Sequence, residues 1–198
     1  FSVQLPSGVM ELKYQTDAVI QGFQMLMRHN GLFLADVVGL GKTMIATMIA
    51  KRFIEANGRN TSILVVFPPA LRENWEDTFK LFGIYHKAQF ITNGKLDRVL
   101  DGKDRYKSKE EFDLIIVDEA HHCLSDSYQR VLKHFESADV LGVTATADRA
   151  DKKSLGAWFD SQAYEYTMTQ AIRDGYLCPI KAQMIPLQLD ISGVGVSG

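Results

Sequence analysis

A strand, a glycine turn and a helix follow one another within residues 32–43, and this stretch constrains the fold more than any other. Residues 32–35 are apolar and predict a strand, the sequence Gly-Leu-Gly-Lys-Thr ends at Thr43, and apolar residues then recur at helical spacing. Such a turn presents backbone N–H groups and a helix N-terminus to an anion. Lys42 is placed to reach phosphates, and the Thr43 hydroxyl to bind Mg²⁺. The stretch predicts a phosphate-binding loop, although Asp36 stands where the general pattern has its first glycine.

An acidic pair, Asp118-Glu119, directly follows the apolar run at residues 112–117. A carboxylate at the end of a buried strand can hold Mg²⁺, and its neighbour can orient and deprotonate a water molecule. The alternative is that the pair only caps the following turn. Because a phosphate-binding loop lies upstream, the catalytic interpretation is favoured.

Apolar runs that predict strands alternate along the chain with segments of helical periodicity. The predicted strands cover residues 32–35, 62–67, 87–92, 112–117, 140–143 and 163–166. The predicted helices cover residues 12–29, 45–57, 71–82, 96–100, 128–135, 154–159 and 169–174. This alternation predicts an α/β fold, a mostly parallel sheet flanked by helices on both faces. Ligands of such sheets bind at the carboxyl ends of the strands, so the polar clusters that follow the strands should converge on one edge.

Composition narrows the class of protein. Hydrophobic residues make up 46% and charged residues 23% of the 198 residues, which predicts a globular domain with a real core. The net charge of −2 argues against non-specific electrostatic binding as the whole function. The cysteines Cys123 and Cys178 have no metal-ligand spacing, so neither a zinc site nor a disulfide framework is expected. Without a membrane-length apolar run or a signal peptide, we expect a cytoplasmic protein that does not interact with membranes.

Five motifs together resemble the first motor domain of a superfamily 2 helicase or translocase. They are a glutamine motif at Gln15, VGLGKT as motif I, PPALRENW as motif Ia, DEAH as motif II and TAT as motif III. The resemblance implies a RecA-like P-loop NTPase domain over residues 1–180, with ATP and Mg²⁺ as cofactors and DNA as the partner. Residues 181–198 would be an extended linker towards a second RecA-like domain, which is not expected within this chain.

The resemblance also implies roles for individual residues. Catalysis would depend on Glu119, Asp118 and Lys42. ATP would be bound by Gln15, Gly39, Leu40, Gly41, Lys42, Thr43 and Met44, and Mg²⁺ by Thr43 and Asp118. Coupling of hydrolysis to movement would involve His121, Thr144, Ala145 and Thr146. Nucleic acid would be contacted by Pro68, Pro69, Ala70, Leu71, Thr92, Asn93 and Gly94.

The Gln15 side chain has a physical reason for its role, because an amide offers both a donor and an acceptor to an adenine edge. Its alternative is a solvated glutamine at the start of a helix. The second motor domain would supply an arginine finger, which contributes about 10³- to 10⁵-fold in related phosphate chemistry. The chain alone is therefore expected to bind ATP but to hydrolyse it weakly.

The resemblance divides between two branches of the superfamily. The front, with ADVVGLGKT and FPPALRENWEDTFKLFGI, is similar to Swi/Snf-type double-strand translocases. The rear, with VDEAHHCL, VTATADRADKKSLGAWF and AIRDGYLCPIKA, is similar to motor subunits of type I and type III restriction enzymes and to phage-like helicases, although Ala147 replaces their usual proline. Either one branch combines both features, or the chain is a composite joined between residues 117 and 121.

Other functions remain as alternatives at this point. An RNA helicase, a nucleotide-dependent scaffold and an ATPase module of a restriction-modification complex share these motifs, and restriction-modification subunits are possible partners. A small-molecule kinase or GTPase would need a lid or a guanine-reading segment, and the sequence shows neither.

Overall fold

The computed structural model describes residues 4–36, 41–58, 60–101, 112–120, 125–144 and 162–178. The chain divides into two units, Phe1–Thr167 and Met168–Gly198, which are treated separately. Within the described residues, no helix combines the length and apolar character that crossing a membrane requires.

The first unit is built on a six-stranded sheet in which every pair of neighbouring strands is parallel. The strands are β1 Gly31–Asp36, β2 Ile63–Phe67, β3 Ala88–Thr92, β4 Leu114–Asp118, β5 Asp139–Thr144 and β6 Gln162–Tyr166. Their order across the sheet is β3-β2-β4-β5-β1-β6. Strands β2 and β4 are buried at every position, as expected for continuous apolar runs covered on both faces.

Five helices of the first unit lie within the described residues. They are α1 Lys13–His29, α2 Lys42–Asn57, α3 Arg72–Leu81, α4 Arg98–Asp101 and α5 Asp126–His134. Short 3₁₀ turns at Pro69–Leu71, Tyr85–Lys87 and Asn93–Lys95 join them to the strands. The described part of the second unit contains α6, Met168–Arg173.

Successive residues of β1 face the two layers of helices. Phe33 and Ala35 belong to a core shared with α5, to which Val131 and Leu132 contribute. On the other face, Gly22 of α1 is packed so closely that an added Cβ would lie 2.8 Å from Ile49 Cδ1 and 3.3 Å from Leu32 Cδ2. Helices therefore cover both faces of a parallel sheet, and the predicted fold class is confirmed.

The sequence placed the described elements within one or two residues of their bounds, and α2 begins at Lys42, as expected for Lys-Thr opening a helix whose apolar periodicity starts at Ile45. The predicted helix at 154–159 and the linker at 181–198 lie outside the described residues. So do residues 102–111. The predicted domain boundary at residue 180 stays a prediction.

Candidate active site

The polar clusters that follow the strands share one edge of the sheet. Asp118, at the end of β4, is in register with Val143 of β5, and Thr144 is in register with Ala35 of β1. The predicted phosphate loop begins where β1 ends. The sheet thus brings the end of β1, the acidic pair and Thr144 to a common edge, as parallel topology requires.

The start of α2 has the features of an anion-binding helix terminus. Its N-cap is Gly41, with φ 88° and no side chain to cap the N–H groups of the first turn. Lys42 and Thr43 are the first helical residues, and both are half-buried. The left-handed conformation of Gly41 costs glycine little and would strain other residues.

The side chain of Gln15 lies beside this turn rather than in solvent. It is 8% exposed, and its Nε2 donates a hydrogen bond of 3.1 Å to the Tyr14 hydroxyl. A Cβ added to Gly41 would lie only 2.6 Å from Nε2 of Gln15. The solvated alternative for Gln15 is therefore wrong, and its amide lies next to the phosphate loop.

Asp118 is buried, with 5% of its surface exposed, and both carboxylate oxygens accept hydrogen bonds. Trp75 Nε1 donates to Oδ2 at 2.8 Å, and the backbone N–H of Glu119 donates to Oδ1 at 2.9 Å. Burial raises the pKa of Asp118, while these two hydrogen bonds and the charge of Lys42 oppose the rise. The two hydrogen bonds hold the carboxylate in a fixed orientation.

Glu119 adopts a backbone conformation that glutamate rarely takes. Its φ is 54°, in the left-handed region, and its side chain is half-buried. The chain turns sharply at this point, so that Asp118 belongs to the strand and Glu119 does not. Strained residues of this kind cluster at functional sites, where surrounding structure holds them in place.

Two residues of α3, for which the sequence predicted no individual role, contact the motifs proposed to bind nucleotide. Asn74 Nδ2 donates a hydrogen bond of 2.9 Å to Thr43 Oγ1, and Trp75 donates to Asp118. Both residues belong to the PPALRENW motif, in which only Pro68, Pro69, Ala70 and Leu71 have a predicted role. The signal available in the sequence was that a buried indole needs an acceptor for its N–H group.

The segments predicted to contact nucleic acid follow neighbouring strands on the same edge. Pro68–Leu71 follows β2, and Thr92–Gly94 ends β3 and begins the next turn. Phe67 and Thr92 are in register, so the two segments start side by side. Pro69, Ala70 and Gly94 are exposed, whereas Thr92 is buried.

Several predicted site residues lie outside the described part of the chain, and their roles stay predictions. These are Gly39, Leu40, His121, Ala145 and Thr146. Thr144, the described member of the predicted coupling segment, is fully buried at the end of β5. Met44 is half-buried in the first turn of α2.

The described residues suit Mg²⁺ and a nucleotide phosphate. Asp118 provides a carboxylate and Thr43 a hydroxyl, which are the oxygen ligands that Mg²⁺ prefers. In the described ranges, no group of three or more His, Cys, Asp or Glu side chains could hold a metal ion. One carboxylate and one hydroxyl are a typical protein ligand set for Mg²⁺ sites that phosphate oxygens and water complete.

Comparison with known proteins identifies relatives of this arrangement. The family described as "Type III restriction enzyme, res subunit" matches residues 9–149. The putative ATP-dependent helicase IRC3 of Saccharomyces cerevisiae is 28% identical, over 91% of this chain and 30% of its own length. The type I restriction enzyme EcoAI endonuclease subunit of Escherichia coli is 34% identical, over 94% of this chain and 25% of its own length. The chain thus spans less than a third of these curated relatives.

A solved structure shows the same fold. The Sulfolobus solfataricus SWI2/SNF2 ATPase core in complex with dsDNA matches with a TM-score of 0.58 and 19% identity, over 76% of this chain and 36% of that chain. The chain belongs to the type III restriction enzyme res subunit family and, with it, to the superfamily 2 motor domains that its motifs resemble.

Proposed function

We propose that this chain is the ATP-binding motor domain of a DNA translocase or helicase, which couples ATP hydrolysis to movement along DNA. One observation carries the proposal. Two hydrogen bonds fix the carboxylate of Asp118 at the end of β4, and the adjacent α3 residues Asn74 and Trp75 contact Thr43, in the first turn of α2, and Asp118. The residues proposed to bind phosphate and the acidic pair thus lie at one sheet edge, which supports a role in nucleotide hydrolysis.

Each residue of the site has a proposed role that follows from the chemistry of its side chain. When bound, ATP·Mg²⁺ would supply the phosphoanhydride bond whose hydrolysis drives movement. Lys42 would hold the β- and γ-phosphates, and Gln15 would bind the adenine edge. Thr43 and Asp118 would be the protein ligands of the metal. Glu119 would orient the attacking water and accept its proton.

Two facts support DNA as the nucleic acid along which this domain moves. The matched SWI2/SNF2 core was solved with dsDNA, and the matched EcoAI protein is a restriction endonuclease subunit. In this chain, the exposed residues of Pro68–Leu71 and Thr92–Gly94 lie together on the nucleotide edge of the sheet. These segments would bind the DNA backbone. A second motor domain and restriction-modification subunits are the proposed protein partners.

The rate of ATP hydrolysis by the full-length protein tests this function. The rate should be measured alone and with double-stranded DNA, single-stranded DNA or RNA added at equal nucleotide concentration. We expect DNA to stimulate hydrolysis more than RNA does. Stimulation by RNA alone would show that the substrate is RNA rather than DNA. No hydrolysis under any condition would contradict the proposed activity.

A further inference from the structure

Adjacent residues at the start of α3 contact two separate nucleotide motifs. Asn74 donates to the Thr43 hydroxyl of the phosphate loop at 2.9 Å, over a separation of 31 residues. Trp75 donates to the Asp118 carboxylate at 2.8 Å, over a separation of 43 residues. The two acceptors are the proposed protein ligands of Mg²⁺. One turn of one helix therefore contacts both ligands.

The same turn is directly connected to a segment proposed to bind DNA. The 3₁₀ turn Pro69–Leu71 is closed by a hydrogen bond of 2.9 Å from Leu71 N–H to the Pro68 carbonyl, and α3 begins at the next residue. Only Arg72 and Glu73 separate this segment from Asn74. Since both residues are helical, the connection contains no irregular loop.

Contacts of Arg72 stiffen the connection at the beginning of α3. Its guanidinium lies 5.4 Å from the ring centroid of Phe67, the last residue of β2, and pairs with Glu76 at 2.9 Å. One turn further along, the Thr78 hydroxyl donates to the Asn74 carbonyl at 2.6 Å. These contacts join the start of α3 to the end of β2 and to the segment between them, so these parts would shift together.

Aromatic packing holds the buried side of α3 against the sheet. Trp75 is fully buried, and its ring centroid lies 6.1 Å from that of Phe79. Phe79 in turn makes an edge-to-face contact with Phe90 of β3, with 5.3 Å between centroids. Densely packed side chains transmit displacements rather than absorb them. A displacement of Pro68–Leu71 would therefore reach Asn74 and Trp75.

We infer that Asn74 and Trp75 are positioning residues that couple DNA contact at Pro68–Leu71 to the metal ligands Thr43 and Asp118. The inference rests on the proposed function. A hydroxyl oxygen has two lone pairs, and Asn74 occupies one, which fixes the direction of the other. Trp75 fixes the plane of the Asp118 carboxylate in the same way. DNA that moves the start of α3 would reorient both ligands together.

The coupling between DNA binding and nucleotide binding can be measured as a ratio of affinities. If DNA changes the affinity for Mg²⁺·nucleotide by a factor, then nucleotide changes the affinity for DNA by the same factor. This coupling factor is obtained from titrations of a fluorescent non-hydrolysable ATP analogue with Mg²⁺, with and without a DNA duplex, using the full-length protein. We expect a wild-type factor of about 5 to 150.

The variants Asn74→Ala and Trp75→Phe should each reduce the coupling factor, to about twofold or less, while both ligands still bind. Trp75→Phe keeps an aromatic ring and removes the N–H donor. Asn74→Ala changes an exposed side chain, so it tests the inference even if the buried substitution impairs folding. The matched control is Asp77→Asn, an exposed residue of the same helix whose ion pair is with Lys80. That control should keep the wild-type factor.

Failure of the proposed function and failure of the coupling role would give different results. A wild-type protein that binds no nucleotide would contradict the proposed function itself. A wild-type factor of one, with both ligands bound, would overturn the coupling role alone. An unchanged factor in Asn74→Ala would overturn it as well, as would an equal loss in the Asp77→Asn control.

Discussion

The amide of Gln15 and the backbone of Gly41 are in contact across the interface between α1 and the phosphate loop. A Cβ at position 41 would lie 2.6 Å from the Gln15 Nε2 atom, so a side chain there would displace the amide from its present position. Gln15 lies near the start of α1, and Gly41 is the N-cap of α2. The proposed adenine-binding residue is thereby placed beside the proposed phosphate-binding residues.

Replacing Gln15 by alanine should reduce the preference for ATP over GTP. Loss of specific hydrogen bonds from a buried amide typically costs about 1–3 kcal/mol, which is about 5- to 150-fold in affinity. Titrations with both nucleotides measure the ratio. Gln21→Ala is the control, because Gln21 is an exposed glutamine of the same helix. Equal binding of ATP and GTP by the wild-type protein would show that Gln15 does not select the base.

Glu119→Gln should separate catalysis from binding. The amide keeps the shape of the side chain and removes the base, so ATP should bind normally while turnover falls. A positioned general base typically contributes about 10²- to 10⁴-fold. The turnover number of the full-length protein measures the effect. A variant that hydrolyses ATP at the wild-type rate would place the general base elsewhere.

Asp118→Asn should give a different result from Glu119→Gln. It removes the negative charge from the proposed metal site and leaves one acceptor oxygen, which can accept from Trp75 while the NH2 group faces the Glu119 N–H. We expect the Mg²⁺-dependent part of ATP affinity to weaken, and the Mg²⁺-independent part to change little. Titrations with Mg²⁺ and with EDTA separate the two parts. Equal losses in both conditions would show that Asp118 supports the fold rather than the metal.

Asp139, at the opposite end of the sheet, should make stability depend on pH. Burial, with the nearby charge of Asp113 as a smaller cause, raises the pKa of Asp139 from 3.8 to about 6. The folded state then binds more protons than the unfolded state, so stability falls as the pH rises from about 4 to 6 and stays lower above that range. Asp139→Asn should remove this loss.

The expected gain is modest because Asp139 is only half-buried and solvent screens its charge. We expect about 1 kcal/mol, or about 2–4 °C in Tm, above pH 6 and almost no change near pH 4. Thermal unfolding at several pH values measures it, with the exposed neighbour Glu136→Gln as control. A gain of equal size at all pH values would point to a cause other than ionisation.

Hydrophobic pattern was enough to predict the sheet. Strand β2 was expected at residues 62–67 and lies at Ile63–Phe67, because a continuous apolar run between polar flanks fits a strand covered on both faces. The parallel arrangement followed from the alternation with helices, and it placed Asp118 and Thr144 on one edge.

The contacts of α3 could not be predicted in the same way. Trp75 belongs to an apolar stripe, and the stripe shows that the residue is buried but not which acceptor its N–H group meets. That acceptor, Asp118, is 43 residues away and is reached only through the packing of α3 on the sheet. The positive φ of Glu119 likewise depends on how the strand ends rather than on local preference.

Calorimetric titration of ATP·Mg²⁺ into the wild-type protein and the Lys42→Ala variant tests the central claim most directly. Lys42 is the first residue of α2, and its ammonium is the cation proposed to hold the β- and γ-phosphates. Hydrogen bonds to charged groups contribute about 1.5–3 kcal/mol, so the variant should bind at least about tenfold more weakly. Lys51→Ala, on the same helix, should bind like the wild type. Equal ATP affinity in wild type and Lys42→Ala would contradict the assignment of this loop as the nucleotide site.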